Sequence, residues 1–366
     1  MRLGMDQTDA EDCSCEAMDH FDLLPDSILL LIFNQLGDVK ALGRCCAVSK
    51  RFHGLAPQVN DVLVKVDCVI SGEETSLNAK GKSFLSCFMR LFLGNIVKPL
   101  QALQHWMAPK KSTLTQISHH SPREVLKNFN AITRLRIELP AGELGVEKGV
   151  LLKWKAEFGS TLERCTILGA ASCVKKERDQ RHGKTRAGSP NLLRERTEEA
   201  LQSIGGGDDN GSLPESFYTD GGLKLRVVWT ISSLIAASAR HFLLRQIISD
   251  HPSLETLILT DSDGQGVLCM SKSQLREFCE KPCAASPCSS RTQVPALSMR
   301  LCYAPYLELP GGTSLEGATL VTIKPVDQPT CKDADQFVAE AFEEPYRSAV
   351  GNLMKRKTYL LEMNSF

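Results

Sequence analysis

Apolar positions near the start of the chain gather into one unbroken run, residues 28–33 of the stretch FDLLPDSILLLIFNQLGDVKALGRCCAVSKRF. Pro25 suits the first turn of a helix because its φ is fixed and it has no N–H to satisfy, and Gly37 can take the left-handed stop. Successive helical residues advance by about 100°, so a run of this length is greasy on every side and needs cover on at least two flanks. Asp38 is placed to cap a second helix carrying Val39, Leu42 and Cys45 or Cys46 on one face. Ser49 is placed to cap a third, with Phe52 and Leu55 facing the same way before Pro57. Three helices in roughly forty residues bury little by themselves, so something else must complete them.

Farther on, Phe84, Phe88, Leu91 and Phe92 fall at helical spacing and predict a packing element that joins this helical start to the next domain. A recurring order then sets in, a helical stretch succeeded shortly by a β-like one. SPREVLKNF opens with Pro122 at the first helical position and with Ser121 and Glu124 at capping-box spacing, and alternating TRLRIEL comes after it. KGVLLKWKAEF predicts a helix ending at Gly159, with LERCTIL next. A long helix through Leu234 and Leu244 ends before His251 and Pro252, and SLETLIL comes after it. Helix-to-strand units with short links imply parallel neighbours, and LERCTIL and PSLETLIL resemble the strand portions of leucine-rich repeats. The expected fold class is α/β: three N-terminal helices, then a sheet domain of degenerate leucine-rich-repeat-like helix–strand units, with an open α/β sheet as the alternative. VPALSMRLCY, YLELP and ATLVTIKP predict further strands, with Gly311 and Gly312 making a turn, and DADQFVAEAFEEPYRSAVGNLMKRK predicts a terminal helix bent near Pro345.

Charge changes this picture little. Among 366 residues, 43 basic and 43 acidic side chains cancel, so no global field points to nucleic acid. The start has no basic segment leading into an apolar one, so no secretory signal is expected, and the fourteen scattered cysteines read as buried residues or free thiols. The most apolar long stretch, VVWTISSLIAASARHFLLRQII, is interrupted by Arg240 and His241 and reads as a core helix; no membrane span is expected. Residues 172–222, with GGGDDNGS, are charged and polar and predict a disordered insertion. Its KKERDQRHGKTR run mixes acids with bases and reads as a solvated face.

The helical start carries a family likeness. Leu24-Pro25-Asp26, Ile28-Leu29, Ile32-Phe33, Leu36-Gly37-Asp38-Val39-Lys40-Ala41-Leu42, Arg44-Cys45 and Val48-Ser49-Lys50-Arg51-Phe52 together resemble an F-box. That resemblance implies docking on a Skp-type linker protein, which joins the F-box to the cullin and RING subunits of a ubiquitin ligase. It places Leu24, Pro25, Ile28, Leu29, Ile32, Leu36, Val48, Ser49 and Phe52 on the linker-facing surface and its support. Phe52 stands where the family often has tryptophan. KGVLLKWKAEFGSTL, RVVWTISSLIAASARHFLLRQIISDHPSLETLIL and the closing LEMNSF are similar to the plant F-box proteins named for auxin up-regulation, which implies a plant setting and a link to hormone response.

No catalytic constellation emerges. Cys279, Cys283 and Cys288 lack a nearby fourth ligand for a zinc site, and His251 and Cys269 join them only if a fold is assumed. No nucleophile signature surrounds a cysteine, His119 and His120 read as loop, DSDGQG reads as a turn, and no phosphate-binding glycine loop occurs. The expectation is a non-catalytic, substrate-recruiting adaptor without cofactor or metal, acting in cytoplasm or nucleus on an unknown protein target. The alternatives are an F-box-regulated enzyme or metal-binding protein using the cysteine-rich C-terminal half, or a Skp-binding scaffold outside any ligase. The expected division is a flexible tail at 1–19, the F-box at 20–58, a helical packing segment at 59–120 and the substrate-recruiting α/β domain at 121–366.

Overall fold

A computed structural model describes residues 20–66, 125–141, 144, 146–175, 213, 215–218, 221–281, 291–328 and 334–366. Helices α1 (Asp26–Leu36), α2 (Val39–Cys46) and α3 (Lys50–Leu55) open it, and each boundary has its chemical cause. Pro25 stands at the N-cap of α1; Gly37, at φ 56°, returns its N–H to the Phe33 carbonyl and ends that helix. The Asp38 carboxylate accepts the Lys40 and Ala41 N–H groups at 2.8 and 3.2 Å, and Ser49 Oγ accepts that of Phe52 at 3.1 Å.

The strands are β1 (Asp61–Lys65), β2 (Arg134–Leu139), β3 (Leu151–Phe158), β4 (Leu162–Ala170), β5 (Ser172–Lys175), β6 (Thr256–Asp261), β7 (Gly266–Ser271), β8 (Leu297–Leu309), β9 (Thr313–Pro325) and β10 (Thr358–Met363). They form one mixed sheet in the order β1-β2-β6-β7-β3-β4-β9-β8-β10, with β5 also paired to β9. Among the described residues, the helices beyond α3 are α4 (Gly222–Asp250), α5 (Lys272–Glu280), α6 (Ala334–Ala339) and α7 (Tyr346–Met354). The architecture is therefore α/β, with the helical start leading into a mixed-sheet domain.

Parallel packing of the expected kind forms over β1, β2 and β6. It does not extend to LERCTIL, which becomes β4 and pairs antiparallel with both β3 and β9, so no stacked helix–strand repeat forms among the described residues. The cause is a misread period. KGVLLKWKAEF is strand β3, not a helix: Trp154, Ala156 and Phe158 are buried while Lys153, Lys155 and Glu157 point to the other face. Consecutive Val150, Leu151 and Leu152 mask that alternation in the sequence.

Other corrections are local. VPALSMRLCY and YLELP are one strand, β8, whose register with β9 passes from Ala304–Ala318 to Tyr306–Glu316. Pro305, with no N–H for the ladder, stands there opposite Gly317 at φ 61°. The terminal helix is two helices, α6 and α7, separated at Pro345. The segment expected to be a helical joiner from residue 59 begins as β1, and the expected insertion at 172–222 begins as β5 and ends in a short 3-10 turn, Glu215–Phe217. The spacing of Phe84, Phe88, Leu91 and Phe92 and the Ser121–Glu124 capping box lie outside the described residues.

Two cores hold the sheet. One face gathers Trp154, Phe158, Ile167, Leu257, Leu268, Leu301 and Ile323 with α4 and α5, and it is continuous with Leu29, Phe33, Leu42 and Leu55 of the first three helices. The other buries Leu151, Leu168, Leu315 and Leu320 beneath α6 and α7. α4 is long enough to pass for a membrane span, and its most apolar 18-residue window has mean hydropathy 1.4. Its Arg226, Arg240 and His241 are buried against the sheet, in keeping with a core helix. Arg240 Nη2 meets Asp261 at 2.5 Å with both side chains inaccessible, and the guanidinium lies 4.7 Å from the Trp154 ring.

Candidate partner-docking surface

The greasy run divides by direction. Leu29 and Phe33, one turn apart, point into the core at 1% and 2% exposure, while Ile28, Leu31, Ile32 and Leu36 form a stripe on the outer side of α1. Val48, between α2 and α3, is 68% exposed, and Phe21 and Leu23 are exposed just before α1. Burying one large aliphatic side chain contributes about 1.5–3 kcal/mol. Seven such residues hold on the order of 10 kcal/mol of unrealised burial, enough to offset much of the cost of association.

The surface is held from beneath. Phe52 meets Phe33 edge to face at 5.2 Å and Phe21 at 6.0 Å. Arg51 bonds the Asp26 carboxylate at 2.6 Å and donates to the carbonyls of Phe21 and Leu24, so one guanidinium ties the entry segment to the first turn of α1. Asn34 Oδ1 accepts the N–H groups of Asn60 and Asp61 at 2.8 and 3.2 Å, and Asp38 forms a parallel bridge with Leu63. The outer helix is thus anchored to the first strand of the sheet.

Of the residues named from the sequence, Pro25, Ile28, Ile32, Leu36 and Val48 are exposed together on this side. Leu24 and Phe52 are half-buried, and Ser49 spends its hydroxyl on capping α3. Leu29 belongs to the core and can only support the surface. Leu31 and Arg51 were missed as individual residues; the i, i+3, i+4, i+8 spacing from Ile28 is the signal that finds Leu31.

The other candidates do not assemble. Cys279 is exposed and Cys283 and Cys288 lie outside the described residues, as do His119 and His120. Burial pushes the Cys269 thiol up to about 11, raises that of Cys165 and lowers His251. Among the described residues no group of three or more His, Cys, Asp or Glu is placed to hold a metal ion. DSDGQG is the β6–β7 turn: Asp261 accepts the Gly266 N–H at 2.8 Å, Asp263 that of Gln265 at 3.0 Å, and Gly264 takes φ 63°.

A short capped helical cluster that buries one side and leaves an ordered apolar stripe on the other offers a surface for a partner. Residues 21–59 match the family described as F-box-like. The chain is 54% identical to F-box protein At5g46170 of Arabidopsis thaliana over 95% of its own length and 94% of the relative's. It is 52% identical to F-box protein At4g18380 of the same plant, covering 96% and 95%. F-box protein AUF1, also from Arabidopsis thaliana, is 36% identical over 95% of this chain and the whole of the relative, which supports the likeness to the auxin up-regulated group. No solved structure matches. The chain belongs to the F-box proteins, a family whose members generally act as non-catalytic substrate adaptors of SCF-type ubiquitin ligases.

Proposed function

We propose that this chain recruits a protein target to an SCF-type cullin–RING ubiquitin ligase in the cytoplasm or nucleus, without catalysis of its own. The F-box docks on a Skp-type linker through Ile28, Leu31, Ile32, Leu36 and Val48, with Leu24, Pro25, Leu29, Ser49 and Phe52 shaping that surface. The sheet domain holds the target. Ubiquitin transfer is favoured because the target's lysines stay at high effective concentration near the conjugating enzyme. The observation that carries the reading is the apolar stripe of α1, exposed on a helix that packs Leu29 and Phe33 into the core. The similarity to F-box protein AUF1 supports a role in auxin-responsive growth.

Co-purification with a plant Skp-type linker and cullin tests this. Wild type is expected to bring down both. Ile28→Lys with Ile32→Lys changes only exposed positions, so it should lose both partners while unfolding at the wild-type urea concentration. Retention of the linker by that folded variant would refute the assignment of the surface. A wild-type chain that binds the linker without cullin would refute the ligase role.

A further inference from the structure

The sheet face beneath α6 and α7 is only partly covered. Leu151, Leu168 and Leu320 lie under the helices, but toward the other end of the same strands the face turns polar and cationic. Lys155 stands opposite Thr166, Thr166 opposite Thr322, and Thr322 opposite Arg300, which forms one row across β3, β4, β9 and β8. In the adjoining row Arg164 faces Glu157, and Lys324 faces Ser298. A pocket of about 310 Å³ opens here, with Arg164, Arg300, Lys324 and Asp335 as its charged lining and Phe337 of α6 as its apolar wall.

Three properties define what fits. Lys155, Arg164, Arg300 and Lys324 stand on this face with the carboxylates of Glu157 and Asp335, so the cations outnumber the acids and the site favours an anion. Arg164 is oriented in advance: its Nε bonds Glu157 at 2.5 Å, and its guanidinium carbon lies 4.6 Å from the Phe337 ring centre. Arg300 is held loosely, 3.8 Å from Asp335 with both side chains exposed, and is able to turn toward a ligand. Thr166 lines the pocket, is wholly buried, and its hydroxyl has no hydrogen-bond partner among the described residues. An orphaned buried hydroxyl is costly, and a ligand oxygen that reaches it recovers the missing bond.

A planar carboxylate offers two oxygens in one plane and suits a single guanidinium. Cations on three strands spaced about 4.8 Å apart, over hydroxyls at Thr166 and Thr322, suit a tetrahedral group with several charged oxygens. We propose that this pocket binds a phosphoryl group, carried by a modified residue of a protein or by a free phosphorylated metabolite. The inference stands apart from ligase assembly, because binding is read on this chain alone.

Calorimetric titration of the full-length chain with orthophosphate, a capped phosphoserine tripeptide and glucose 6-phosphate tests it. Saturable single-site binding is expected. Arg300→Gln with Lys324→Gln should weaken it about a hundredfold or more, since each of the two charge-assisted bonds is worth about tenfold or more. Thr166→Val, which removes the hydroxyl and keeps the shape, should weaken it several-fold. Tighter binding of the tripeptide would place the phosphoryl group on a protein; tighter binding of the sugar phosphate would place it on a metabolite. The proposal is overturned if wild type shows no saturable binding, if folded Arg300→Gln/Lys324→Gln binds equally well, or if Thr166→Val leaves affinity unchanged.

Discussion

His241 makes the stability of this protein depend on pH in a window set by burial. The ring sits on α4, stacked on Phe158 at 4.5 Å and met edge-on by Phe278 at 5.0 Å. Nε2 lies 3.1 Å from the Gly159 carbonyl oxygen, which only accepts, so Nε2 carries the proton. Nδ1, 2.7 Å from Thr292 Oγ1, then accepts from that hydroxyl. Desolvation above all, opposed by the Gly159 bond and helped by the Arg245 charge, lowers the imidazole from 6.5 to about 4. The unfolded chain takes up a proton near pH 6.5 and the folded chain only near pH 4, so between those values the unfolded state binds more protons. The contribution is complete above pH 6.5 and is lost as the pH falls toward 4. At about 1.4 kcal/mol per pH unit the whole window is worth about 3 kcal/mol, and about 2 kcal/mol is gone by about pH 5.

The assay is urea unfolding of wild type and His241→Gln at several values from about pH 7 to about pH 4.5. Burial also raises the nearby Glu163 carboxyl and lowers His251, but both are present in each protein and cancel in the difference. The glutamine variant is expected to be less stable at neutral pH and to close the gap by about 2 kcal/mol on acidification. A stability difference that stays constant from about pH 7 to about pH 5 would refute a buried neutral His241.

The remaining predictions concern packing around α4. Arg240→Met strands the Asp261 carboxylate, which is inaccessible to solvent, and should cost about 3–5 kcal/mol in urea unfolding, with Arg240→Met/Asp261→Asn recovering part of the loss. An unchanged midpoint for the single variant would show that Asp261 is not charged in the folded state. At Gly169 an added Cβ would run into the Trp229 ring, so Gly169→Ala should destabilise by about 1–3 kcal/mol; wild-type stability would mean that α4 can lift off β4 freely.

Legibility tracked the range of the forces involved. The first three helices were readable because Pro25, Gly37, Asp38 and Ser49 act within one turn of themselves. Strands β2, β4 and β6 were readable by alternation or by their apolar runs. The sheet order was not, since pairing β3 to β7 and β4 to β9 joins residues more than a hundred positions apart. The phosphoryl pocket was invisible for the same reason: Arg164 and Thr166 come from β4, Arg300 from β8, Thr322 and Lys324 from β9, and Phe337 from α6. Each sits in an ordinary alternating strand or short helix that gives no local hint of its neighbours.

The join between the F-box and the sheet bears on how an adaptor of this kind works. Effective concentration falls as a flexible tether lengthens, whereas a rigid connection fixes both distance and direction. Here α1 is joined to the sheet without a tether among the described residues. Asp61 begins β1 directly after the F-box match ends at residue 59, Asn34 of α1 bonds the backbone at residues 60 and 61, and Phe33 shares one core with Leu135 and Ile137 of β2. A bending motion between the units would have to open that core and break the Asn34 bonds to the Asn60 and Asp61 N–H groups. On the adaptor reading, the sheet therefore presents its target in one orientation relative to the linker. Which lysines are modified would then depend on how the target is seated on the sheet, with little contribution from motion at the F-box. Asn34→Ala provides the test: it removes the side-chain tie at the join while leaving the exposed stripe of α1 in place, so linker binding should persist while the pattern of modified target lysines broadens. An unchanged pattern would mean that the shared core alone sets the orientation.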